Sequence, residues 1–163
     1  METSVIIFRE LRELLAELNA GNVEYMVVGG YAVAHHGHRR YTDDLDIFYR
    51  PSPANAAALH DAIVRFGYIS SDLTASELEN PKVVHWIGSP PMRIDFMGSV
   101  TGIGFDEAWA DKITGSTADG LEFPVLGFKH LIAAKRAAGR PKDLIDVIAL
   151  ESPRDERDRV IGG

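Results

Sequence analysis

The stretch Val27-Val28-Gly29-Gly30-Tyr31-Ala32-Val33-Ala34-His35-His36-Gly37-His38-Arg39-Arg40-Tyr41-Thr42-Asp43-Asp44-Leu45-Asp46-Ile47-Phe48 decides how this chain folds. It begins as an apolar strand, turns at Gly29-Gly30, and ends in a second strand that carries Asp44-x-Asp46. Side chains two apart on a strand share a face, so Asp44 and Asp46 point together while Leu45 and Ile47 point into a core. Two carboxylates side by side repel unless a cation or a proton lies between them. Hydrated Mg²⁺, which takes one or two carboxylates together with phosphate oxygens, satisfies that pattern.

Outward from this stretch, further elements follow. Leu11, Leu14, Leu15 and Leu18, with Phe8 ahead of them, repeat at helical spacing, and Gly21 supplies a stop. Glu24–Val28 reads as a short strand, Tyr31–His36 as a helix opening from the glycines, and Tyr41–Tyr49 as the acid-bearing strand. Ser52-Pro53 is a helix start, with the hydroxyl as N-cap and proline in the first turn. Ala56, Leu59, Ile63 and Phe66 form its apolar stripe, and Gly67 ends it. Tyr68–Asn80 reads as a short strand followed by a polar loop. Lys82–Ile87 and Met92–Met97 form a hairpin-like pair across Gly88-Ser89-Pro90-Pro91. Leu121–Val125 adds a short strand, which Pro124 consigns to an edge. Gly127–Ala138 and Pro141–Leu150 close the chain as helices. The expected fold is α/β (α+β): a small mixed sheet flanked by helices.

The chain of 163 residues has the length of one domain. We expect a single domain over residues 1–150 and a charged, frayed tail over 151–163. Hydrophobic residues make up 45%, yet no apolar run is long enough to span a bilayer. The start Met1-Glu2-Thr3-Ser4 lacks signal-peptide character, so a cytoplasmic location and no membrane partner are expected. With no cysteine, disulfides, thiol nucleophiles and thiolate metal sites are excluded. A net charge of −7 disfavours sequence-blind nucleic-acid binding, which needs many cationic contacts to phosphate. The positive charge is local: Arg39 and Arg40 precede the acids, and Lys129, Lys135, Arg136, Arg140 and Lys142 fall within fourteen residues. These are either a basic wall facing an acidic metal site or solvated helix faces.

Three features bear on chemistry. Gly29-Gly30, between strand and helix, lets backbone approach a phosphate, or is only a tight turn. Asp44-x-Asp46 is a metal-binding pair or a solvated acidic face. Asp95, in Met92-Arg93-Ile94-Asp95-Phe96-Met97, joins that pair if its strand lies alongside, or else partners Arg93. His35, His36 and His38 could hold zinc only if Gly37 broke the helix between them. Trp86 and Trp109 could stack on a base, or serve as core or edge residues.

Taken together, the Gly-Gly, the Asp-x-Asp and the later third acid resemble the nucleotidyltransferase superfamily with the DNA polymerase β-type fold. Within it, His36-Gly37-x-x-Arg40-x-Thr42-x-Asp44-x-Asp46 resembles small bacterial members related to the AbiEii toxin family. Lys135-Arg136-x-x-Gly139-Arg140-x-Lys142-Asp143-x-x-Asp146 is similar to their downstream motifs. The resemblance spans Glu24–Leu150 and implies a Mg²⁺-dependent enzyme, with Mn²⁺ as an alternative ion, that moves a nucleoside monophosphate from a nucleoside triphosphate to a hydroxyl. It implies Asp44, Asp46 and Asp95 as metal-binding and catalytic residues. Gly29, Gly30, Arg40, Thr42, Lys135 and Asp143 would be nucleotide-binding, with Asp143 ordering Lys135 or Arg140. The acceptor is RNA (a tRNA end included), a protein or a small molecule, and the setting is a toxin–antitoxin system with an antitoxin or partner subunit. The alternative is a non-catalytic nucleotide-binding or interaction module.

Overall fold

The structure, a computed structural model, describes residues 4–5, 9–39, 42 and 44–152. The expectations for Phe8, Arg40 and the tail beyond 152 lie outside the described residues. Strand β1 (Ser4–Val5) is followed by helix α1 (Arg9–Ala20), β2 (Tyr25–Val28), α2 (Gly29–His35), β3 (Asp44–Tyr49), α3 (Pro53–Phe66) and α4 (Ala75–Leu78). The chain continues through β4 (Val84–Ile87), β5 (Arg93–Met97), α5 (Phe105–Ala110), β6 (Ile113–Thr117), β7 (Glu122–Val125), α6 (Phe128–Ala138) and α7 (Pro141–Glu151). The strands form one mixed sheet in the order β1-β6-β7-β2-β3-β5-β4. The mixed sheet with flanking helices is the α/β (α+β) architecture that the alternation of strand and helix signals foretold.

Local chemistry accounts for the main elements. Leu11, Leu14, Leu15 and Leu18 of α1 are fully buried, the apolar face expected from their spacing. The Ser52 hydroxyl accepts a hydrogen bond from the Asn55 backbone N–H at 3.3 Å, and Gly67 closes α3 in the left-handed region at φ 110°. In β3, Leu45 and Ile47 are fully buried. Their register partners across β2 include Val27, and Tyr25 pairs with Tyr49 on the same face. The Tyr25 hydroxyl donates to Asn19 of α1, so α1 covers the face turned away from the aspartates.

Two expectations need correction. Tyr68–Asn80 contains no strand; it holds the single turn α4, capped by the Thr74 hydroxyl and anchored by buried Leu78. Nor is β7 an edge strand, since it lies between β6 and β2. Pro124 is tolerated there because the Leu126 N–H donates to the Val27 carbonyl at 3.0 Å, so by alternation the Pro124 nitrogen also faces β2, where the ladder is the single pair Val27↔Val125. Its missing N–H therefore leaves no ladder bond unmade.

Candidate active site

The acids come from neighbouring parallel strands. The β3–β5 register pairs Asp44 with Arg93 and Asp46 with Asp95, which puts all four side chains on one face of the sheet. That register is the condition under which Asp95 joins the aspartate pair, and it is met. Both readings of Asp95 hold at once, because the Arg93 Nε also donates to Asp95 Oδ1 at 3.0 Å and lies 3.9 Å from Asp44 Oδ1.

The turn Gly29-Gly30 has a packing reason to be glycine. Gly29 adopts φ 66°, and a Cβ built there would overlap the Asp46 carboxylate. A Cβ on Gly30 would lie 2.5 Å from the Thr42 hydroxyl oxygen. Thr42 in turn donates to the Asp44 backbone carbonyl at 3.1 Å, so it shapes the entry to β3.

Facing the acids across a cleft of about 280 Å³ are Lys135, Arg140 and Lys142, from α6, α7 and the turn between them. Lys135 is buried, which removes the solvated reading of that residue. Its ammonium lies 3.2 Å from Asp143 Oδ1 and 3.0 Å from Asp146 Oδ2. Asp143, fully buried, also accepts from the Arg140 Nε at 2.6 Å and from the Arg140 backbone N–H at 3.3 Å. It contacts both cations, where the resemblance implied that it would order Lys135 or Arg140, and it also caps the start of α7. Burial pushes the Asp143 carboxyl up, but the hydrogen bonds from Arg140 and Lys135 outweigh it and hold the group below the ordinary range.

Sequence reasoning quoted Asp146 within a motif and gave it no role; it is a buried partner of Lys135, and His38 Nε2 lies 3.7 Å from its other oxygen. The signal was present in the Asp143–Asp146 spacing, which puts both acids on one face of a helix. Arg93 was missed as a site residue altogether. The histidines do not gather for zinc. His36 Nε2 lies 2.8 Å from the Leu126 carbonyl, and among the described residues no three His, Asp or Glu side chains form a metal cage.

The acid side is short of positive charge. Burial, followed by the charge of Asp95 and a hydrogen bond to it, raises the Asp46 carboxyl to about 7, and Lys135 only partly opposes this. The repulsion between Asp46 and Asp95 is of the kind that a proton or a cation between them relieves. A divalent ion fits such a site, and Mg²⁺ in particular does not require a closed protein cage, since it keeps waters and takes substrate phosphate oxygens.

Three strand-borne acids, faced by buried Lys135 and exposed Arg140, agree with the nucleotidyltransferase class that the sequence resembles. Within that class, residues 7–158 match the family described as nucleotidyl transferase of unknown function (DUF2204), and the chain belongs to this family. No curated protein matches it. Among the described residues, no helix is long and apolar enough to cross a membrane.

Proposed function

We propose that this protein transfers a nucleoside monophosphate from a nucleoside triphosphate to a hydroxyl acceptor in a Mg²⁺-dependent reaction. The observation that carries the reading is the Asp46–Asp95 register pair beside Asp44, facing buried Lys135 across one cleft. Asp44 and Asp46 would hold the divalent ion, Mg²⁺ or Mn²⁺, which supplies charge neutralisation to the triphosphate and the departing pyrophosphate.

The remaining roles belong to the chain itself. Lys135, fixed by Asp143 and Asp146, presents a positive charge whose direction is set before substrate arrives, and Arg140 adds a second. The Gly29-Gly30 turn brings backbone N–H groups close to the acids, within reach of phosphate oxygens. Asp95 takes the proton from the acceptor hydroxyl as its oxygen bonds to the α-phosphorus. The bond from that phosphorus to the bridging oxygen breaks, and pyrophosphate leaves. Catalysis of this kind is mostly positioning and electrostatics, which a prearranged set of acids and cations supplies. A toxin–antitoxin setting, with an antitoxin or other partner subunit, is the context that the AbiEii resemblance supports.

One observation favours a second reading, a nucleotide-binding module without turnover: Arg93 already engages Asp95, the residue assigned to the proton. Both readings meet one experiment. Transfer from α-labelled ATP, CTP, GTP and UTP into a lysate with Mg²⁺ is compared for wild type and the Asp44→Asn/Asp46→Asn double variant. Label that appears only with wild type supports transfer, and nuclease or protease digestion then identifies the acceptor class. Binding of nucleotide with no label from any of the four supports the module.

A further inference from the structure

Trp86 is 57% exposed, although tryptophan is ordinarily well covered. It lies on β4, the outermost strand beyond β5, directly opposite Asp95 in an antiparallel pair. Directly opposed residues share a face, so the indole stands on the same side of the sheet as the acids. Asp95 thus has Asp46 one strand away on one side and Trp86 one strand away on the other, each spacing about 4.8 Å. The nucleotide cleft reaches Asp95 and stops there; neither Trp86 nor Arg93 lines it. Arg93 connects the two regions, with its Nε on Asp95 at 3.0 Å and its guanidinium carbon 4.9 Å from the centre of the indole ring.

We propose that Trp86, backed by Arg93, is a platform on which the last base of the acceptor stacks, so that the acceptor is the hydroxyl end of a single-stranded oligonucleotide. The proposal rests on the transfer reading above and names the substrate that reading leaves open. An open indole takes the face of any base, and an arginine beside it suits both a ring and a neighbouring phosphate. A ribose hydroxyl lies within one nucleotide of its own base, which matches the single-strand offset between Trp86 and Asp95. The net charge of −7 agrees with a grip on the end alone. Stacking replaces the long run of phosphate contacts that an acidic protein could not make, so binding should depend only weakly on salt.

The test uses the full chain and 5′-labelled ribotrinucleotides of each base, read by anisotropy, with Mg²⁺·NTP binding measured on the same samples. Trp86→Ala is expected to weaken trinucleotide binding about tenfold or more, and Trp86→Phe to restore it to within about threefold. NTP affinity should be equal in all three proteins. Trinucleotide binding that is unchanged in Trp86→Ala, or absent from wild type, would overturn the proposal. Serine- or tyrosine-bearing peptides that bind through Trp86 where no trinucleotide does would overturn it in favour of a protein acceptor. A protein that binds trinucleotides through Trp86 but no Mg²⁺·NTP would retire the transfer reading while leaving the stacking site in place.

Discussion

The two walls of the cleft are built on opposite electrostatic plans. On the helix side, every described buried charge is answered within the fold: Lys135 lies between Asp143 and Asp146, and Arg140 closes on Asp143. On the strand side, Asp44 and Asp95 share the single charge of Arg93, and Asp46, opposed only in part by Lys135, has its carboxyl raised to about 7. A balanced wall keeps its shape whatever is bound. An unbalanced wall has a standing affinity for cations. The difference separates residues that hold the site together from those to which the proposed function assigns substrate and ion.

The sharpest way to break this comparison is to remove acids one wall at a time. Asp44→Asn or Asp46→Asn is expected to abolish transfer and most metal-dependent NTP binding while leaving the thermal midpoint unchanged or raised. Mg²⁺ and NTP affinities at wild-type levels in both variants would sink the assignment. Asp95→Asn should slow transfer by roughly 10²–10⁴, the range for a lost proton acceptor, with NTP affinity within a few-fold. A near-wild-type rate would remove Asp95 from the chemistry. On the helix wall the effect should appear as stability instead. Asp146→Ala leaves Lys135 with one of its two buried partners, and denaturant unfolding should show a loss of about 3 kcal/mol. A loss below about 1 kcal/mol would mean that this wall is less tightly balanced than its geometry indicates.

The smallest effect is the pH dependence of the metal-free protein. Asp46 titrates near 7 when folded and near 4 when unfolded, so between those values the folded state binds more protons. The stability that Asp46 contributes is therefore full below about pH 4 and is lost as pH rises through 7. Asp46→Asn should flatten that decline, and Mg²⁺ should raise the thermal midpoint more at pH 8 than at pH 5. A midpoint rising steadily across the same interval would contradict the charge shortage proposed for the strand wall.

The two walls were also unequally legible in the sequence. Asp44 and Asp46 could be placed because strand alternation is a local rule, and Leu45 and Ile47 supply its apolar half. The Asp46–Asp95 register was visible only as a condition, since strand neighbours are set by the whole sheet. The spacing of Asp143 and Asp146 put both on one face of a helix, but only the packing of α6 on α7 shows that Lys135 meets the second acid as well as the first. Strand β6, Ile113–Thr117, gave almost no apolar signal. It is held by pairing with β7, where Gly115 lies against the Phe123 ring with no room for a side chain between them. Helix α5 escaped notice because six residues hardly establish a period, although Phe105 and Trp109 stack on one side of it. Pro124 misled because the proline rule concerns donors to a ladder, and the ladder it would have interrupted is a single pair long.

The near-contact between Gly29 and Asp46 has a consequence for inheritance. A methyl group at position 29 would displace the carboxylate it faces, so the two positions constitute one unit of change although sixteen residues lie between them. A descendant that kept the acid could not acquire a side chain at 29 without moving that carboxylate. One that lost the acid would be relieved of that overlap, with only the positive φ at 29 still favouring glycine. An alanine or serine at position 29 in a relative would therefore mark a lineage in which this carboxylate has fallen out of use, even where an aspartate is still written at position 46.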